Sequence, residues 1–152
     1  MADTVTAGLG PASDARAGPL ARILCVVETE PRPGAADFAA LLAKQWNAEL
    51  RLFFVVENRN VRVAPEELSY AERSLDAIAA RLRTLHGRVR ISTAITVGEP
   101  DEEIARHARL IDADLVIVVA ALGDAATAGR ARRIATSTGQ PVLEWTEEVM
   151  PG

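Results

Sequence analysis

Short runs of apolar residues alternate along the chain with longer segments of helical periodicity. The first run, Ile23-Leu24-Cys25-Val26-Val27, is continuous and rich in β-branched residues, which suits a strand buried on both faces of a parallel sheet. Glu28-Thr29-Glu30 and Pro31-Arg32-Pro33-Gly34 end it. A helix is predicted from about Ala35 to Trp46, with Phe38, Leu41, Leu42 and Gln45 or Trp46 on its inner face. Leu50 to Val56 (LRLFFVV) is a second buried strand. After the polar loop Asn58 to Ala64, Pro65 opens a long helix, where its fixed φ and missing N–H do no harm. Leu68, Ala71, Leu75, Ile78, Leu82 and Leu85 form its apolar stripe, and Gly87 stops it. Val89, Ile91, Thr93 and Ile95 then alternate with more polar positions up to Val97, the pattern of a half-exposed strand at a sheet edge. Pro100 opens a third helix whose first turn carries Asp101, Glu102 and Glu103, where negative charge meets the positive end of the helix dipole. Ile104, Ala108 and Ile111 line its inner face. Leu115 to Val119 is the most apolar run and is expected at the sheet centre. A fourth helix is predicted from about Ala125 to Thr138, capped by Asp124, with Ala131, Ile134, Ala135 and Thr138 facing inward. Pro141 to Trp145 is the last strand.

The alternation of strand and helix predicts an α/β fold, a parallel sheet covered by helices on both faces. Residues 21–146 hold all of these elements and are expected to form one domain. Residues 1–20 are small, Gly- and Pro-containing and without hydrophobic periodicity, so they are expected to remain a disordered tail. Residues 147–152 form a short C-terminal tail.

Composition narrows the function classes. Charged residues are a quarter of the chain and the formal net charge is −4, so no basic face for nucleic acid is implied. No apolar run is long enough to span a bilayer, and the N-terminus lacks the basic-then-apolar pattern of a secretion signal. Cys25 is the only cysteine, which excludes an internal disulfide and fits a reducing cytoplasm. Its place inside a buried strand favours an inert small hydrophobe over a nucleophile. His86 and His107 have no partner at metal-ligand spacing. No Walker-type phosphate loop and no Gly-x-Ser-x-Gly elbow is present. A phospho-accepting receiver domain shares the alternation, but its acidic cluster and lysine have no counterparts: the third strand ends in Thr96-Val97-Gly98 and Thr146-Glu147 follow the fifth.

The order and spacing of several motifs resemble the universal stress protein family over about Arg22 to Trp145. These are Ile23-Leu24-Cys25-Val26-Val27-Glu28-Thr29, Ala48-Glu49-Leu50 with Val55-Val56, Val97-Gly98-Glu99-Pro100 with Ile104, Ala113-Asp114-Leu115-Val116-Ile117-Val118, and Pro141-Val142-Leu143. The resemblance implies a five-stranded parallel sheet in the order 3-2-1-4-5 and a homodimer. ATP-binding members carry Gly-x2-Gly-x9-Gly-Ser/Thr after the fourth strand, where glycines let backbone N–H groups approach phosphates. Here the strand runs into Val119-Ala120-Ala121-Leu122, and Ala126 stands three residues after Gly123. Counting back from Pro141 places the family's Gly-Ser near Ala128-Gly129, which makes the loop about four residues shorter.

Each candidate residue has a plain structural reading beside the functional one. Glu28 stands where the family's Asp contacts the nucleoside, or is a solvated loop carboxylate. Val55 stands where the family offers backbone groups to adenine, or simply fills the core. Gly123, Thr127 and Gly129 are the candidate phosphate cradle, or only turn residues. Arg130, with Arg132 and Arg133, is a candidate phosphate partner or a solvated helix face. Asp124 would put a carboxylate where a phosphate sits, a repulsion of about 1–4 kcal/mol. Trp145 is either core or dimer interface, with pairing expected through Pro141 to Trp145. The expected function is therefore a cytoplasmic, homodimeric binding or regulatory module in stress response with a degenerate nucleotide loop and no enzymatic activity. The alternative is an ATP-binding member, with Mg²⁺ and at most slow hydrolysis.

Overall fold

The computed structural model describes residues 20–27, 34–57, 63–121, 125 and 127–147. Five strands and four helices alternate: β1 (Arg22–Val26), α1 (Ala35–Trp46), β2 (Glu49–Glu57), α2 (Pro65–His86), β3 (Arg90–Gly98), α3 (Pro100–Leu110), β4 (Leu115–Ala121), α4 (Arg130–Thr138) and β5 (Val142–Glu147). The strands form one parallel sheet in the order β3-β2-β1-β4-β5. This is the α/β architecture and strand order expected of the chain. β1 lies between β2 and β4, which explains its continuous apolar sequence: Ile23, Leu24 and Cys25 are fully buried because both sheet faces there are covered. β3 is at an edge, as its alternation predicts.

The two faces of the sheet have separate cores. One contains Ile23, Leu50, Leu52 and Ile117 with Ala39, Ala40 and Ala43 of α1 and Leu75, Ile78 and Leu82 of α2. The other contains Leu24, Phe53, Val55, Val116 and Val118 with Ile104 and Ala108 of α3 and Ile134 of α4. Alternate residues of each strand point to opposite faces, so Leu50 and Leu52 serve one core and Phe53 and Val55 the other.

The buried face of α1 differs from the one expected. Ala35, Ala36, Ala39, Ala40 and Ala43 are buried, whereas Leu41 is 55 % exposed and Trp46 is on the surface. Phe38 and Leu42 pack at the margin of the core. Small residues on the inner face let the helix axis approach the sheet closely; the larger side chains are then displaced to its flanks. On α2 the expected stripe is buried from Ala71 to Leu82, but Leu85 in the last turn is exposed.

Two hydrogen-bonded anchors explain motifs that composition alone does not. The carboxylate Oδ2 of Asp114 accepts from the backbone N–H groups of Ala21 and Arg22, both at 2.9 Å, fixing the start of β1 beside β4. The Gln140 side chain donates to the carbonyls of Ala108 and Ala113, at 3.0 and 2.9 Å, tying the approach to β5 to the end of α3.

Candidate functional site

The strand order places a topological switch point between β1 and β4. The connection after β1 leads to α1 on one face; the connection after β4 leads to α4 on the other. The C-terminal edge of the sheet at such a switch point is the place where open α/β sheets bind ligands. Val55 lies toward this edge on β2, paired in register with Thr96 of β3, with its side chain in the α3/α4-side core. After β4, Thr127, Ala128 and Gly129 make a turn that leads directly into α4.

This turn departs from expectation. The fourth helix starts at Arg130, about a turn later than the apolar pattern suggests, and its N-cap is Gly129, not Asp124. Gly129 has φ 73° and ψ 3°, in the left-handed region that glycine occupies at little cost. A Cβ at this position would stand 3.1 Å from Arg133 Nη1, a tight contact that the end of the arginine side chain would have to ease. The turn contains the buried side chain of Thr127, and Arg130 N–H donates to the Thr127 carbonyl at 3.2 Å. Glu28, Gly123 and Asp124 lie outside the described residues, as do most of the N-terminal tail and the end of the C-terminal one.

The arginines of α4 are engaged with α3. Arg130 Nε donates to Asp101 Oδ1 at 2.7 Å, and Arg133 Nε donates to Asp101 Oδ2 at 2.6 Å. One carboxylate thus joins two guanidinium groups, using one oxygen for each. Arg133 Nη1 also donates to the Ala128 carbonyl at 2.8 Å, bracing the turn before the helix. By its sequence position Asp101 is a first-turn charge. It does sit in that turn, where its N–H donates to the Glu99 side chain at 2.7 Å, but its own carboxylate reaches across to α4. Asp101 and Arg133 line a cleft of about 340 Å³ between α3 and α4, with Glu102, Arg106, Arg109 and Ser137.

A polar row under the sheet lies outside every candidate motif of the sequence. His107 and Glu103, one helical turn apart on α3, are both buried. The His107 ring stacks on Phe53, centroids 4.3 Å apart and planes within 8°. Its Nε2 is 3.3 Å from Arg51 Nη1, and since arginine only donates, Nε2 accepts and the ring is neutral with its proton on Nδ1. Arg51 Nε donates to Ser92 Oγ at 3.1 Å. Burial and the neighbouring Arg51 charge lower the His107 pKa, with Glu103 opposing. One sequence signal does point here: Arg51 interrupts an apolar strand at a position that faces the α3 side. A separate cleft of about 280 Å³, at the N-terminal edge of the sheet, is lined by Arg22, Glu49, Arg51, Ser92, Leu110 and Ile111.

Cys25 is fully buried and its thiol is pushed up to about 12, so it is not a thiolate nucleophile. Among the described residues no group of His, Cys, Asp and Glu side chains could hold a metal ion, and no helix is long and apolar enough to cross a membrane. Trp145 packs inward against Phe38, ring centroids 5.4 Å apart, at the margin of the α1-side core.

The sequence model of the universal stress protein family matches residues 20–144. The chain belongs to this family. No curated protein matches it. Solved structures of universal stress proteins match its fold. One, in complex with cAMP, is 20 % identical with a TM-score of 0.63, covering 84 % of this chain and 97 % of that one. Another, from Archaeoglobus fulgidus in complex with dAMP, is 19 % identical with a TM-score of 0.66, covering 82 % and 96 %. A family member from Burkholderia pseudomallei is 25 % identical with a TM-score of 0.60, covering 83 % and 96 %. Within this universal stress protein the two glycines best explained by geometry are Gly129 and Gly98. At Gly98, just before α3, a Cβ would meet Glu103 Cγ at 2.8 Å, which gives the Gly-x-Pro turn its physical reason.

Proposed function

We propose that this universal stress protein is a regulatory binding module of the stress response that takes an adenine nucleotide in the β1/β4 crevice, weakly for a triphosphate. The observation that carries this reading is the switch point itself, with the glycine-initiated α4 at its mouth. The first-turn N–H groups and dipole of α4 suit a phosphate. The relatives bound to cAMP and dAMP make an adenine nucleotide the natural ligand class. Backbone groups near Val55 and the Thr127–Arg130 turn are the contacts proposed for base and phosphate, with Glu28 and Gly123 completing the site from segments outside the described residues. The shortened loop and Asp124 argue against a tight triphosphate grip, and with it against efficient hydrolysis of ATP with Mg²⁺. Homodimerisation through edge strand β5 and a cytoplasmic location complete the proposal.

Calorimetric titration of nucleotide-stripped protein with AMP and with ATP plus Mg²⁺ tests it. AMP is expected to bind, and ATP to bind no more tightly than AMP. Low-micromolar ATP binding well above AMP would make the shortened loop a working triphosphate site. Silence from both would remove the nucleotide and turn the search to protein partners.

A further inference from the structure

We propose that Asp101 is an internal anion that holds two arginines at the start of α4, Arg130 and Arg133, and so competes with the phosphate of a bound nucleotide. The proposal rests on the nucleotide reading and adds the regulation of that site. Arg130 is the first residue of α4, immediately after Gly129, and Arg133 is one turn further on. Both Nε–H groups are directed to one carboxylate, Arg130 to Oδ1 and Arg133 to Oδ2, so each carboxylate oxygen accepts from one guanidinium. A planar guanidinium that grips a carboxylate this way grips a phosphate by the same geometry.

The contact is positioned to be exchanged and not merely to brace the fold. Arg133 is half-exposed, and with Asp101 it lines the solvent-open cleft between α3 and α4. An anion in the cleft meets Arg133 and Asp101 directly. Arg130 is largely shielded, at 13 % exposure, and its charge is felt with less screening than that of a surface arginine. Asp101 is one carboxylate set against two guanidinium groups, so it leaves the trio with a formal charge of +1. Asp101 also belongs to a different element from the arginines it engages. A ligand that displaced it would loosen the α3–α4 contact and transmit its presence to the outer face of the α3/α4 layer.

The test titrates the full chain with tripolyphosphate, and separately with ATP, comparing wild type, Asp101→Asn, Asp101→Asn/Arg133→Gln and Glu102→Gln. Glu102 lines the same cleft and is the control for a general loss of negative charge. Asp101→Asn is expected to tighten tripolyphosphate binding by about tenfold. Arg133→Gln should remove most of that gain, and Glu102→Gln should change affinity less than about twofold. Equal or weaker tripolyphosphate binding by Asp101→Asn, or an equal gain from Glu102→Gln, overturns the proposal. ATP binding no tighter than tripolyphosphate in every variant would take away the adenine reading and leave the role of Asp101 standing. Should Asp101→Asn fail to fold by circular dichroism, Asp101→Ser is expected to give the same tightening, and the lack of it would overturn the proposal equally.

Discussion

His107 shows how one residue couples packing to protonation. Its ring is stacked on Phe53 and accepts from Arg51, so protonation would set two cations 3.3 Å apart in a buried site. The folded protein therefore favours the neutral ring and holds its pKa below the ordinary 6.5. A group with a lowered folded pKa contributes stability that is whole above its unfolded value and is lost as the pH falls through the folded one. The urea midpoint is accordingly expected to drop as the pH falls below the ordinary 6.5 of the unfolded imidazole. In His107→Gln that drop should shrink; an unchanged pH profile would show that His107 is not the titrating group. Gly98 is a second residue-scale case. Gly98→Ala should destabilise the fold by about 1 kcal/mol, because a new Cβ must displace the buried Glu103 side chain. The loss should be relieved in a Glu103→Ala background, which thermal melts of the double-mutant cycle would read. Neither effect is legible in the sequence: helical spacing puts Glu103 and His107 on one face, but only the tertiary structure reveals that the face is buried.

Among the elements, α1 and α4 are where periodicity and structure part. Helical spacing points to Phe38, Leu41 and Leu42 as the inner face of α1 because they are the largest apolar residues. The buried face is instead Ala36, Ala39, Ala40 and Ala43, since a helix seated close to a sheet has room only for small side chains. Ala39→Leu is thus expected to cost about 2 kcal/mol by overpacking, and Leu41→Ala no more than about 0.5 kcal/mol, as judged by urea denaturation. The reverse order would restore the face expected from the sequence. In α4 the apolar spacing is correct for Ile134 but sets the start a turn too early, because a left-handed Gly129 ends one turn and starts another without any apolar signal. The strands are more legible. Each apolar run is a strand with bounds moved by a residue or two, because burial on both faces leaves a continuous signature that does not depend on neighbours. Trp145, which by sequence suits core and interface equally, packs on Phe38; Trp145→Ala is expected to lower stability by about 2 kcal/mol in thermal or urea unfolding.

For the whole molecule, the strand order is the decisive feature. A parallel sheet ordered β3-β2-β1-β4-β5 must have its switch point between β1 and β4, the place where open α/β sheets bind ligands. That much is legible from the alternation of elements and the family motifs. The pairing of Asp101 with Arg130 and Arg133 is not, because the partners are far apart in sequence and each looks like an ordinary charge on a helix surface. The central claim is that an adenine nucleotide occupies the C-terminal edge of the sheet between β1 and β4. An amide-shift titration of the full chain with AMP tests it most directly. The largest saturable shifts are expected on Val26, Val27, Val55 and Thr127 to Arg133. Shifts confined to Arg22, Arg51, Ser92 and Ile111, around the cleft at the opposite edge, or no saturable shifts at all, would contradict it.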